Sequence, residues 1–142
     1  MPMHMHTISV NFLIYRSLEL TLTNLVHKHL IVRAELGYCP DNPLWVEEWL
    51  RHLVNVIGMK ILSGPHVARV DNVIGNIGCT GVVIIETSHI AVHFWEETGL
   101  MQLDVYTCGE FNMQDIFTEL ECLEPTSIDW KYLDREHGLV EH

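Results

Sequence analysis

The chain has 142 residues and a formal charge of -11, so it is one domain, large enough for a real core but too small for two ordinary ones. Apolar residues make up 48% and charged residues 19%, which excludes a disordered chain. The negative charge argues against nucleic acid or an anionic membrane as partner and suits a cationic substrate, although a solvated acidic surface is the plainer reading. No apolar run approaches the roughly twenty residues of a membrane span, and the start MPMHMHTISV lacks the basic-then-apolar order of a secretory signal. Cys39, Cys79, Cys108 and Cys122 show no Cys-x-x-Cys spacing, so reduced thiols in a cytoplasm are expected.

In chain order, residues 1–27 are the least legible and are read as an extension of unknown role. Thr7 to Tyr15 fits a strand, and Ser17 to Val26 fits strand or helix equally. His29 to Leu36 is strand-like. Pro40-Asp41-Asn42-Pro43 breaks the strand and sets up a helix, with Asn42 as N-cap and Pro43 in the first turn. Trp45, Val46, Trp49, Leu53, Val56 and Ile57 give that helix an apolar face, and Gly58 ends it. Met59 to Leu62 starts another strand, and Gly64-Pro65, Gly75 and Gly78 mark loops. Past Gly109, Asn112 caps a short helix through Cys122 with Asp115 in its first turn. Pro125 stops it, and Ile128 to Leu133 is the last strand. The order predicts an α+β two-layer sandwich, an antiparallel β-sheet with helices packed on one face, over residues 28–142.

The centre of the chain, Gly81 to Gly109, carries the chemistry. An apolar run to Ile85 leads through Glu86-Thr87-Ser88-His89 into the alternating stretch Ile90 to Trp95. The polar tip Glu96-Glu97-Thr98-Gly99 and a second run, Leu100 to Thr107, complete a β-hairpin. Symmetry about Thr98 would set Ser88 across from Cys108. His89 and His93 have the spacing of two zinc ligands on a helix, but the alternation says strand, where four residues span about 13 Å, too far to share one ion. No metal is therefore expected. Cys39, Cys79 and Cys122 read as core packing; Trp45, Trp49 and Trp130 read as core or interface.

The order Ser-His-x3-His, a Trp and a Glu, then Asp-x-x-Thr-Cys-Gly resembles the bacterial and archaeal type of S-adenosylmethionine decarboxylase proenzyme. The likeness runs more faintly over residues 28 to 138. It takes in His29-Leu30-Ile31-Val32, Leu36-Gly37-Tyr38-Cys39 and Cys79-Thr80-Gly81-Val82-Val83. The resemblance implies a chain that cuts itself between Thr87 and Ser88. The Ser88 hydroxyl attacks the Thr87 carbonyl, the peptide bond becomes an ester, and elimination and hydrolysis leave a pyruvoyl group on the new N-terminus. It assigns His93 as the proton acceptor for ester cleavage and the Thr80 hydroxyl as an aid to processing. The pyruvoyl cofactor would form a Schiff base with the substrate amine and draw off electrons as carbon dioxide leaves. Cys108 would return the proton.

By the same resemblance Trp95 stacks on adenine and favours the cationic sulfonium, and Glu97 holds the ribose hydroxyls. The implied substrate is S-adenosylmethionine and the product an aminopropyl donor for spermidine and other polyamines. The expected assembly is a homodimer or higher homo-oligomer with sites near subunit contacts. Regular strand geometry puts Ser88 and His93 on opposite faces, so His93 can serve Ser88 only if the chain bends or bulges between them. Two departures stand out. Thr87 replaces the family's glutamate before the reactive serine, and Phe94-Trp95-Glu96-Glu97 replaces Thr-Trp-Pro-Glu. The added carboxylate of Glu96 suits a guanidinium or ammonium tail, so arginine or ornithine is the alternative substrate. The non-enzyme alternative is an uncleaved relative that binds a ligand.

Overall fold

The computed structural model describes residues 25–142; the expected strand Thr7 to Tyr15 and the segment from Ser17 to Asn24 lie outside them. Strands β1 (Lys28–Leu36), β2 (Ile61–Val70), β3 (Gly78–Ile85), β4 (Ser88–Trp95), β5 (Leu100–Thr107), β6 (Pro125–Asp134) and β7 (Val140–Glu141) form one sheet. Its order is β2-β3-β4-β5-β1-β6-β7, with every neighbouring pair antiparallel. Helices α1 (Pro43–Val56) and α2 (Met113–Leu120), followed by a 3-10 turn at Glu121–Leu123, supply the second layer. The α+β sandwich expected from the pattern is the observed fold.

Period-two alternation explains which face is covered. In β4, Ile90, Val92 and Phe94 are buried, as are Met101, Leu103 and Val105 of β5 and Leu30, Val32 and Ala34 of β1. Helix α1 presents Val46, Trp49, Leu50, Leu53 and Val54 to them. It starts where the sequence says: Asn42 Oδ1 accepts the Leu44 N–H at 2.9 Å, with Pro43 in the first turn. Gly81 lets α1 approach, because a Cβ there would come within 2.8 Å of Leu50 Cδ1. Leu50 has no solvent exposure, so truncating it to alanine costs about 2–5 kcal/mol.

Several boundaries differ from the expectation. Strand β2 passes straight through Gly64-Pro65, with irregular register around Ser63 and His66. A proline fits there because β2 is an edge strand, where a missing N–H need leave no partner unpaired. Pro125 both stops the helical segment and opens β6. The helix from Asn112 stops at Leu120 and tightens into the 3-10 turn, which leaves Cys122 exposed instead of in the core. The pairing of β7 with β6 had no signal in the pattern.

Candidate active site

The run Glu86-Thr87-Ser88-His89 is sharper than a lead-in. Ile85 pairs with Ser88, so β3 and β4 form their own hairpin on the two-residue turn Glu86-Thr87. Ser88 is the first residue of β4 and has φ +148°, a conformation that costs a side-chain-bearing residue of order 1–3 kcal/mol. The bond between Thr87 and Ser88 thus sits in the tightest turn of the sheet, with strain on its C-terminal side.

Across β5 the register differs from the expected one. Ser88 pairs with Thr107, not Cys108, and Trp95 with Leu100. The loop between them has four residues, so its centre lies between Glu97 and Thr98, and one residue of shift follows. Cys108 falls opposite Thr87 instead, and its N–H donates to the Thr87 carbonyl oxygen at 2.8 Å. A backbone donor therefore already points at the oxygen that would carry negative charge if Ser88 Oγ attacked that carbonyl. Thr87 Oγ1 also reaches Met59 Sδ at 3.1 Å, a contact no local pattern announces. On the exposed face beside Ser88, the His89 and His29 rings each lie 5.7 Å from the Tyr106 ring, and the Arg135 guanidinium stands 4.4 Å over it.

The second group of expected residues gathers elsewhere. Thr80 and His93 are paired across β3 and β4, and Thr80 Oγ1 lies 3.1 Å from His93 Nδ1. The Trp95 ring is 5.9 Å from the His93 ring. Trp95 Nε1 donates to Asn76 Oδ1 at 3.1 Å, and the Glu97 carboxylate accepts the Gly75 N–H at 2.9 and 3.0 Å. The extra carboxylate, Glu96, takes a bidentate ion pair from Arg69, one arm of it Nη2–Oε2 at 3.1 Å. Asn76 and Arg69 were not singled out by the sequence, and Gly75 only as a loop marker; their roles rest on contacts across 19 to 27 residues.

The two groups lie far apart within one chain. Without a register shift, β4 pairs with β3 from Ser88 to His93 and with β5 from Ser88 to Trp95, so the bend that would bring His93 to Ser88 is absent. Five residues of strand separate their backbones by about 16 Å, and seven put Trp95 about 23 Å from Ser88. On the outer face of the sheet Val82, opposite Ala91, and Ile84, opposite His89, are 38% and 46% exposed. No group of three or more metal-binding side chains occurs among the described residues, and no helix among them is long and apolar enough to cross a membrane. All four cysteines are free; burial pushes the Cys39 thiol up to about 11.

Comparison with known proteins matches this arrangement to one family. The sequence profile of S-adenosylmethionine decarboxylase fits residues 29–136. The chain is 36% identical over 67 residues to the S-adenosylmethionine decarboxylase proenzyme of Picrophilus torridus, a stretch covering 46% of this chain and 52% of that one. It is 31% identical over 116 residues to the proenzyme of the same description from Archaeoglobus fulgidus, covering 78% of this chain and 98% of that one. The crystal structure of the adenosylmethionine decarboxylase from Aquifex aeolicus superposes with a TM-score of 0.67 at 28% identity, over 84% of this chain and 97% of that one. With most of its length inside the family profile and the same fold as a solved member, the chain belongs to the S-adenosylmethionine decarboxylase family.

Proposed function

We propose that this chain is a self-processing, pyruvoyl-dependent S-adenosylmethionine decarboxylase, supplying the aminopropyl donor for polyamine synthesis. The single observation that carries the reading is the turn at Thr87 and Ser88, with the Cys108 N–H on the Thr87 carbonyl oxygen. Ser88 Oγ attacks that carbonyl carbon and the hydroxyl proton is removed; the C–N bond breaks and its nitrogen takes a proton, leaving an ester. The Cys108 N–H stabilises the intervening oxyanion, and the strain at Ser88 favours leaving the peptide form. Loss of the Ser88 α-proton then expels residues 1–87 as a carboxylate, and hydrolysis releases ammonia.

The residues fit a pyruvoyl group at position 88: it needs no metal, and a thiol residue, Cys108, adjoins the strand partner of Ser88. Such a group supplies a carbonyl that captures the substrate amine and accepts electrons as carbon dioxide departs. In our reading Cys108 holds the proton returned to the substrate carbon. Trp95 stacks on the adenine, and Glu97 takes the ribose hydroxyls while Gly75 steadies it. Glu96 already spends its charge on Arg69, which favours S-adenosylmethionine over arginine or ornithine as substrate.

The active site belongs to two chains. Ser88 and Cys108 of one copy work with Thr80, His93, Trp95 and Glu97 of a second, because about 16 to 23 Å of strand separates the groups within a copy. The open faces of two sheets stack with a two-fold axis running between them and across the strands. The Ser88 end of each then lies over the His93 end of the other, with Ser88 taken out of the regular strand alternation by its φ of +148°, and Val82 and Ile84 are covered. When His93 Nδ1–H donates to Thr80 Oγ1, His93 Nε2 is left as the acceptor for the Ser88 α-proton. Free thiols throughout suit a reducing cytoplasm.

Intact mass under denaturing conditions tests the reading. Two fragments, residues 1–87 and 88–142, with the second lighter than a serine-headed chain by an ammonia, are expected; Ser88→Ala stays full length. A single full-length mass from the unsubstituted protein would move the uncleaved ligand-binding reading to the front.

A further inference from the structure

The stretch Phe94 to Glu97 is fastened residue by residue to the chain between Gly75 and Gly78. Glu97 accepts the Gly75 N–H, Trp95 Nε1 donates to Asn76, and the Glu96 N–H donates to the Ile77 carbonyl at 2.9 Å. Gly78 lies so close that a Cβ on it would meet the Phe94 carbonyl oxygen at 1.9 Å. All four contacts join the end of β4 and its following loop to the segment that enters β3. Beyond the pairing of β4 with β5 and the Leu36 N–H on the Gly99 carbonyl, the Glu96 side chain adds a charged tie to the rest of the fold: it binds Arg69 at the end of β2, and Arg69 Nη1 donates to the Asp41 carbonyl at 3.0 Å, just ahead of α1. Both side chains are largely covered, at 27% and 21% exposure, and Cys79, the strand partner of Arg69, is fully buried. An ion pair in such surroundings is screened less than one at the open surface, and a bidentate fork fixes direction as well as distance.

We propose that the Arg69–Glu96 ion pair is the positioning element of the recognition end. Anchored to the end of β2 and to the segment before α1, it holds the backbone between Trp95 and Glu97, so that ring and carboxylate stand at a set separation before substrate arrives. Neither member touches substrate. Arg69 acts through Glu96, and Glu96 acts through its two neighbours. The kinetic consequence rests on the decarboxylase reading; the structural one does not.

The test uses the full-length processed protein, with Glu96→Gln, Arg69→Gln and the exchanged pair Arg69→Glu/Glu96→Arg. Processing stays complete in all three, because neither clamp side chain contacts Ser88, Cys108, Thr80 or His93. In both single variants KM for S-adenosylmethionine rises about ten-fold, the usual scale for losing a charge-assisted hydrogen bond, while kcat changes less than about two-fold. The exchanged pair recovers most of the loss. Hydrogen exchange at the Gly75 and Glu96 amides quickens in the single variants and slows again in the exchange. Unchanged KM and unchanged amide exchange in Glu96→Gln would overturn the proposal, as would a fall in kcat at constant KM. If the unsubstituted protein turns over no substrate, the functional reading has failed, and amide exchange alone decides whether the clamp holds the loops.

Discussion

The proposed two-chain site makes a quantitative prediction. Ser88→Ala removes the nucleophile but keeps His93; His93→Ala keeps the nucleophile and removes the proton acceptor. Each variant expressed alone builds dimers with no complete site. Co-expressed in equal amounts, the chains pair at random, so about half of the dimers are mixed, and each mixed dimer joins one intact Ser88 to one intact His93. About a quarter of the wild-type number of complete sites is then expected, and about half of the His93→Ala chains should be cut after Thr87. Denaturing mass spectrometry reads the cut fraction, since the two variants differ in mass, and carbon dioxide release reads the sites. The structural basis is the unbroken register of β4, which holds the backbones of Ser88 and His93 of one chain about 16 Å apart. No cleavage in the co-expressed sample, at a confirmed one-to-one ratio with dimers present, would refute the shared site. So would efficient cleavage of His93→Ala by itself.

Three further outcomes follow from the geometry. Cys108→Ala keeps the backbone N–H that faces the Thr87 carbonyl, so it should be cut normally yet lose at least about a hundred-fold in decarboxylation, the low end for a general acid; unchanged turnover would remove Cys108 as proton donor. Gly78→Ala places a Cβ 1.9 Å from the Phe94 carbonyl oxygen at φ +156°, so β3 must shift, and a loss of at least about 2 kcal/mol in urea unfolding is expected; a loss under about 0.5 kcal/mol would count against the close approach. Burial lowers the His29 pKa from its ordinary 6.5, helped by Arg135 and His89 and opposed by Asp104. The folded state therefore disfavours the imidazolium. This contribution to stability is present above pH 6.5 and is lost as pH falls through that value towards the lowered one. His29→Gln should flatten the fall in Tm between about pH 7.5 and 5.5, and an unaltered slope would assign the acid sensitivity elsewhere. Asp134 does not confuse the window, because hydrogen bonds from the Glu136 side chain, the Glu136 backbone N–H and Lys28 hold its carboxyl well below the usual range.

Local patterns in the sequence determined much of this protein. Alternation marked the strand faces of β1, β4 and β5. Asn42-Pro43 and Asn112 marked the helix starts, because a cap satisfies orphan N–H groups within its own turn. The order of Ser88, His93, Trp95, Glu97 and Cys108 pointed to the family. Register and distance were decided only by the tertiary structure. A period of two says which residues share a face, but the pairing depends on how many residues the loop holds. One residue in the Glu96–Gly99 loop moved Cys108 from Ser88 to the Thr87 carbonyl. Nor does a pattern say how far apart chemistry lies: five residues are one short reach on a helix and about 16 Å on a strand. Glu96 shows the same limit. Its charge was legible as a substrate contact until the fold brought Arg69, 27 residues away, to meet it, since a carboxylate's role depends on which partner the packing delivers.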